Sequence, residues 1–307
     1  MIEFPGYDRR EYPEGIYNVT EGQRGADATL IIGSSATALY DCGMAYAYKE
    51  TLLSLKERLG GRPLDYILVS HTHYDHIGAL PYILDEYPDA KAVGSEYGRY
   101  VFTRPGAREL IKKLGIAAEM QYGTGHPEII KSEGVRIDIV CHDGDEIDLG
   151  DRKIVCLETP GHTNCCMSFA VEPDGILFAS ESTGVCTGPG ECNTAILKDY
   201  DEAMDSMRKC RDYGAKRIIS AHYGITPEWY SKEYFDVFRK AAEEEKEYVT
   251  GLWEEGLSEE EMLERASRDA FSEERAGNQP YEAFLENTKA ILKVYRKYAK
   301  VGKERDR

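Results

Sequence analysis

Between residues 71 and 76 the chain reads His71-Thr72-His73-Tyr74-Asp75-His76, three imidazoles and a carboxylate in six positions. Neutral imidazole and carboxylate are ligands suited to zinc, iron or manganese. In an extended segment His71 and His73 project to the same side. Asp75 and His76 fall where the chain bends, so they can face a second point close by. A solvated polar loop is the plain alternative, and it accounts poorly for so many ligating groups at this density.

Such a cluster needs elements to hold it. Asp65-Tyr66-Ile67-Leu68-Val69 precedes it and reads as a buried strand. Gly78-Ala79-Leu80-Pro81-Tyr82-Ile83-Leu84 follows and reads as the first turns of a helix, with Pro81 tolerated near the start. The donors therefore lie at the carboxyl end of a strand, where α/β sheets place ligand sites. Upstream, residues 15–19, 28–33 and 36–40 read as the opening strands. Tyr48, Leu52, Leu55 and Leu59 then recur at helical spacing, up to the stop signal Gly60-Gly61-Arg62-Pro63. Downstream, strands are expected over 135–140, 146–149, 153–158, 166–171, 176–180 and 217–221. A helix is expected near 199–213, with Tyr200, Met204 and Met207 as its core face.

Two stretches are less determined. Residues 95–134 concentrate Arg99, Arg104, Arg108, Lys112 and Lys113 in an otherwise acidic chain. They form either a solvated helical face or an anchor for an anionic substrate tail, such as the phosphates of coenzyme A. Residues 227–300 carry long helical patterns with no strand signal, and Ser258-Glu259-Glu260-Glu261 is a capping box. The aromatics there (Trp229, Tyr230, Tyr234, Phe235, Phe238, Tyr248 and Trp253) either pack on the body or line a pocket. His126 and His142 read as ordinary loop histidines.

The motif His-x-His-x-Asp-His resembles that of the metallo-β-lactamase superfamily. Thr159-Pro160-Gly161-His162-Thr163 is similar to that family's second metal loop, and Gly175-Ile176-Leu177-Phe178-Ala179-Ser180-Glu181 to the strand with its bridging carboxylate. Ile218-Ile219-Ser220-Ala221-His222 is similar to its last ligand strand. Roughly residues 15–226 are covered, in the family's order. The resemblance implies an α+β fold, a four-layer αβ/βα sandwich over residues 1–226, with 227–307 as a helical C-terminal extension. That extension either caps the active site or mediates a homodimer. The resemblance also implies two divalent metals, zinc with iron or manganese as alternatives. His71, His73 and His162 would hold the first metal, and Asp75, His76 and His222 the second. Glu181 stands where the family usually has Asp. Tyr40-Asp41-Cys42-Gly43 resembles the family's Asp-x-Gly, so Asp41 either orients a ligand histidine or simply opens the next helix.

Two such metals would bring a water's pKa toward 7, from about 15.7 in bulk, with Asp75 orienting the nucleophile and shuttling its proton. The expected activity is hydrolysis of a thioester or other small acyl ester, glyoxalase II-like chemistry. A small-molecule phosphodiesterase or an iron-dependent oxygen-using enzyme is the alternative. Activity of the commonest dizinc β-lactamase type is not expected, because those enzymes lack the histidine at position 76 and use cysteine where Glu181 stands. Flavodiiron proteins typically carry Glu at the position of His73. A non-catalytic binding module is the remaining class.

Composition bounds these readings. A net charge of −17 disfavours nucleic acid as a partner. No apolar run is long enough to span a membrane, and residues 1–10 show no apolar signal core. Eight cysteines without zinc-finger spacing are expected as reduced thiols in a cytoplasmic protein acting on a small molecule. Cys165 and Cys166 follow His162 closely and are expected to be core residues rather than ligands.

Overall fold

A computed structural model describes residues 8–271 and 279–300. The other residues, which include part of the N-terminal signal reading and parts of the extension, lie outside the described set.

The first sheet comprises β1 (Ile16–Asn18), β2 (Thr29–Ile32), β3 (Thr37–Tyr40), β4 (Tyr66–Leu68), β5 (Lys91–Gly94) and β6 (Ile139–Val140), paired in that order. The second contains β7 (Glu146–Asp148), β8 (Lys153–Glu158), β9 (Met167–Glu172), β10 (Ile176–Ala179), β13 (Arg217–Ser220) and β14 (Gly224–Ile225), in the spatial order β14-β13-β10-β9-β8-β7. A separate hairpin joins β11 (Val185–Gly188) to β12 (Glu191–Asn193).

The alternation of side chains along each strand builds the layers. On β10, Ile176 and Phe178 point into the core between the sheets, whereas Leu177 and Ala179 point outward. On β2, Ile31 faces inward and Leu30 outward. Tyr40 crosses the central core and meets Phe178 with ring centroids 4.7 Å apart.

The outer face of the first sheet is covered by α1 (Tyr48–Leu59), α2 (Tyr74–Ile77), α3 (Leu80–Glu86), α4 (Glu96–Thr103) and α5 (Pro105–Tyr122). The outer face of the second carries α6 (Tyr200–Tyr213), α7 (Ser231–Glu254), α8 (Glu259–Ala270) and α9 (Tyr281–Tyr295). Helix, sheet, sheet, helix is the four-layer α+β sandwich expected.

Most expected elements are present, and the capping box closes on both sides, with Ser258 accepting from the Glu261 N–H. Three details differ. The strand expected over 135–140 shrinks to Ile139–Val140, although Val135 and Ile137 stay buried. The β11–β12 hairpin and the short β14 were not anticipated. Tyr230, Tyr234, Phe235, Phe238 and Trp253 of the extension are buried in one core with α6. Packing on the body therefore accounts for them.

Candidate metal centre

Four loops converge at one end of the sandwich. The loop after β4 carries His71 and His73, and the single turn α2 adds Asp75 and His76. That turn is pinned from outside, because Cys42 donates to the His76 carbonyl (2.7 Å) and Ala26 to that of Asp75 (3.4 Å). The loop after β8 carries His162, the turn after β10 carries Glu181, and the residues after β13 carry His222. Gly161 adopts φ +135°, and a Cβ there would lie 2.5 Å from the Ala203 Cα, so only glycine lets the His162 loop rest on α6.

The donors form two groups, one of His71, His73, His162 and Glu181 and the other of Asp75, His76 and His222, each with its ligating atoms within 4.8 Å of one another. His73 Nδ1 lies 3.1 Å from His71 Nε2 and 2.9 Å from His162 Nε2. Glu181 stands between the groups. Its Oε2 is 3.0 Å from His162 Nε2, while its Oε1 is 2.7 Å from His222 Nε2 and 3.3 Å from His76 Nε2. Asp75 Oδ2 lies 3.6 Å from His222 Nε2 and 3.8 Å from His76 Nε2.

Three of the outward ring nitrogens are also held. His76 Nδ1 lies 2.8 Å from Asp41 Oδ2, and the same carboxylate accepts from the Ser70 N–H (2.9 Å) and hydroxyl (2.7 Å). His162 Nδ1 lies 2.5 Å from the Ala195 carbonyl, an acceptor that only an N–H can satisfy. His71 Nδ1 is 3.0 Å from the Ser70 hydroxyl. Anchoring of this kind fixes which nitrogen faces inward. Asp41 thus orients His76 rather than opening a helix. The Ala195 carbonyl is a contributor that sequence reasoning missed, and no sequence signal marks it. Asp41, Ala195 and His222 are also the positive-φ non-glycine residues among those described, at φ 52°, 50° and 70°. Strain of this sort persists where the surroundings over-determine a site.

The electrostatics fit a cationic occupant. Burial, then the neighbouring imidazoles, holds His71 well below its ordinary pKa and pushes His73 down to about 3, so both rings offer lone pairs. Burial acts the same way on His76, but the carboxylates of Asp75, Asp41 and Glu181 outweigh it and raise that ring. Against its own burial, Glu181 is held well below the usual carboxylate range by His162, His222 and His76. Three imidazole lone pairs aimed at one another, with a charged carboxylate between the two groups, are mutually satisfied only by shared positive charge. The donor set therefore fits divalent cations.

The remaining candidates lie elsewhere. His126 and His142 are exposed and pair with Glu128 and Glu158. Cys165 and Cys166 are buried and belong to neither donor group. Arg99, Arg104, Arg108, Lys112 and Lys113 do not line the cleft above the donors, which has a volume of about 840 Å³. Tyr230 and Tyr248 do not line it either. Tyr230 is fully buried beneath the hairpin, and Tyr248 bonds Asp269 at 2.8 Å on the outer surface. The extension reaches the cleft through Ala283, Phe284 and Ile291 of α9, opposite Leu110 and Leu114 of α5.

The sequence model of the metallo-beta-lactamase superfamily matches residues 22–222, well over half of the chain. This chain belongs to the metallo-β-lactamase superfamily. A superfamily relative from Sulfurisphaera tokodaii, the fold-containing protein ST1585, is 27% identical over 202 residues, 65% of this chain and 73% of its own length. An atrochrysone carboxyl ACP thioesterase of Aspergillus fumigatus is 22% identical over 217 residues, 70% of this chain but only 56% of its own length. Among solved structures, the metallo-β-lactamase family protein TTHA1429 of Thermus thermophilus matches 91% of this chain and 92% of its own, with a TM-score of 0.63 at 16% identity. That likeness establishes the fold.

Asp41→Asn tests the anchoring of His76. Its side chain keeps the shape but loses the charge, and metal affinity is expected to fall about 10–100-fold with the fold intact. Titration against a competing chelator reads this, and unchanged affinity would show that Asp41 does not orient the ligand.

Proposed function

We propose that this superfamily member is a dinuclear metal-dependent hydrolase, loaded with zinc, that cleaves a thioester or other small acyl ester. The observation that carries this reading is the placement of Glu181, with one carboxylate oxygen toward each donor group. His71, His73 and His162 would hold one cation and Asp75, His76 and His222 the other, with Glu181 shared between them. Held there, divalent cations supply Lewis acidity and an acidified water at neutral pH.

The chain's own residues do the rest. Asp75 lines the cleft as a member of the second donor group, and we read it as the group that accepts the nucleophile's proton. The His76–Asp41 and His162–Ala195 contacts keep the imidazoles from turning as charge redistributes. The α5 and α9 walls exclude water from the apolar part of the substrate. The cleft-facing parts of the extension, α9 and Ala241 and Glu244 of α7, are thus read as a cap that helps choose the substrate. Eight free cysteines, seven of them buried, fit a reducing compartment such as the cytoplasm. No helix among the described residues is long and apolar enough to cross a membrane.

Metal analysis of the purified chain is expected to return close to two transition-metal equivalents, and fewer than half an equivalent after reconstitution would sink the proposal. A panel of thioesters, lactones and phosphodiesters should show turnover of the first two. Turnover of phosphodiesters alone, or oxygen consumption with iron, would move the chain to another branch of chemistry.

A further inference from the structure

The donor groups sit at the floor of the cleft, but a substrate's leaving group or tail must pass its walls. Those walls are apolar on α5, mix Ala283, Phe284 and Ile291 with Glu286, Asn287 and Thr288 on α9, and their charged side chains among the described residues are Glu191, Glu244, Glu286 and Lys198. Glu191 comes from the hairpin, Glu244 from α7 and Glu286 from α9, so three separate elements bring carboxylates to one opening. Among the described residues, Glu191 makes a single long contact, accepting from the Thr187 hydroxyl (3.5 Å). Glu286 pairs with Lys289 at 2.9 Å and Glu244 lies 3.8 Å from Lys240, and neither of those lysines lines the cleft. The five cations of α4 and α5 that could have received phosphates are absent from the lining as well. Arg99 lies 4.0 Å from Glu96, Arg104 packs over the Tyr100 ring, and Arg108 and Lys112 act on Glu133.

From this distribution we infer that the cleft selects acyl substrates whose leaving group is uncharged or cationic and rejects carriers bearing several phosphates. This rests on the hydrolase reading and gives it a substrate class. The reacting carbonyl lies over the donors, and its tail crosses the rim carboxylates. Fixed like charges along a path suppress the wrong partner and assist the complementary one. At physiological salt the screening length is about 8 Å, so the rim acts on charges inside the cleft mouth and fades as salt rises. The apolar faces of Leu110, Leu114, Ala283 and Ile291 seat the uncharged part.

Three thioesters of one acyl group separate the alternatives: hexanoyl-coenzyme A, hexanoyl-N-acetylcysteamine and hexanoyl-thiocholine, which are polyanionic, neutral and cationic. Their kcat/KM values are read on the metal-loaded full chain. The matching inert thioethers, S-hexyl-coenzyme A and S-hexyl-thiocholine, are titrated by calorimetry. At low salt the cationic member is expected to exceed the polyanionic one about tenfold or more, with the neutral one between. The ratio should fall severalfold at 0.5 M salt, or in the triple variant E191Q/E244Q/E286Q. A flat or reversed order, or a triple variant that leaves the order unchanged, overturns the selection. If the thioesters turn over without that order, hydrolysis stands and the rim inference fails. If the thioethers bind in that order but none of the thioesters is cleaved, the selection stands and the hydrolase reading fails.

Discussion

Replacing Asp75 by asparagine is expected to lower hydrolysis about 10³-fold, about 4 kcal/mol of barrier, while the fold and its circular dichroism remain unchanged. Asp75 lies on the turn α2, partly exposed to the cleft, with Oδ2 within 4 Å of both His76 and His222. Asparagine keeps the volume and one oxygen, so packing under the Ala26 and Cys42 contacts has no reason to change. What is lost is the negative charge and the ability to take a proton. Metal content separates the two contributions. If both metals are retained and turnover collapses, the proton transfer is the larger share. If one metal departs, ligation is. Wild-type turnover in the variant would show that Asp75 does no chemistry.

Glu181→Gln is expected to reduce metal content from about two equivalents toward one and to lower turnover at least about 10²-fold. In the native chain the carboxylate is buried and touches His162 through one oxygen and His76 and His222 through the other. Glutamine turns one of those oxygens into an amide N–H₂. In either orientation the amide nitrogen, which has no lone pair to offer a cation, faces one of the two donor groups. The group that keeps the amide oxygen can still take a cation, and the other is left short of a charged ligand. Elemental analysis and turnover measured on one preparation read both effects. Two retained metals with full activity would mean that Glu181 is a neighbour of the centre rather than part of it.

The two-sided approach of Glu181 also bears on its length. Glutamate here, where the family usually has aspartate, spans from His162 to His222 with contacts of 3.0 and 2.7 Å. Glu181 opens the turn Glu181–Thr183, whose Ser182 hydroxyl accepts from the His162 N–H at 2.9 Å. One short segment thus supplies a carboxylate and also fixes the backbone of the opposing histidine.

The site residues and the layers were legible in the sequence because both depend on short-range patterns. Strand alternation reports which side chains face the inter-sheet core, as in Ile176 to Ala179, and two-residue spacing puts His71 and His73 on one side. Residue type and density singled out His71, His73, Asp75 and His76, whereas His162, Glu181 and His222 were expected from the resemblance of their loops to the family's. Other features had no local signature. The left-handed backbone at Asp41, Ala195 and His222 is imposed by packing on residues that do not ordinarily prefer it. The Val185–Asn193 hairpin was too short for a periodic signal, and its Gly188-Pro189-Gly190 turn could equally mark an irregular loop. Helical periodicity in the extension named an apolar face but not its partner. Tyr230 and Trp253 went into the core, while α9 brought Phe284 and Ile291 to the cleft. Which loops meet, and which charges then face one cavity, follows from contacts far apart along the chain. Glu191, Glu244 and Glu286 line one cleft because α7 packs on the hairpin and α9 packs on α7.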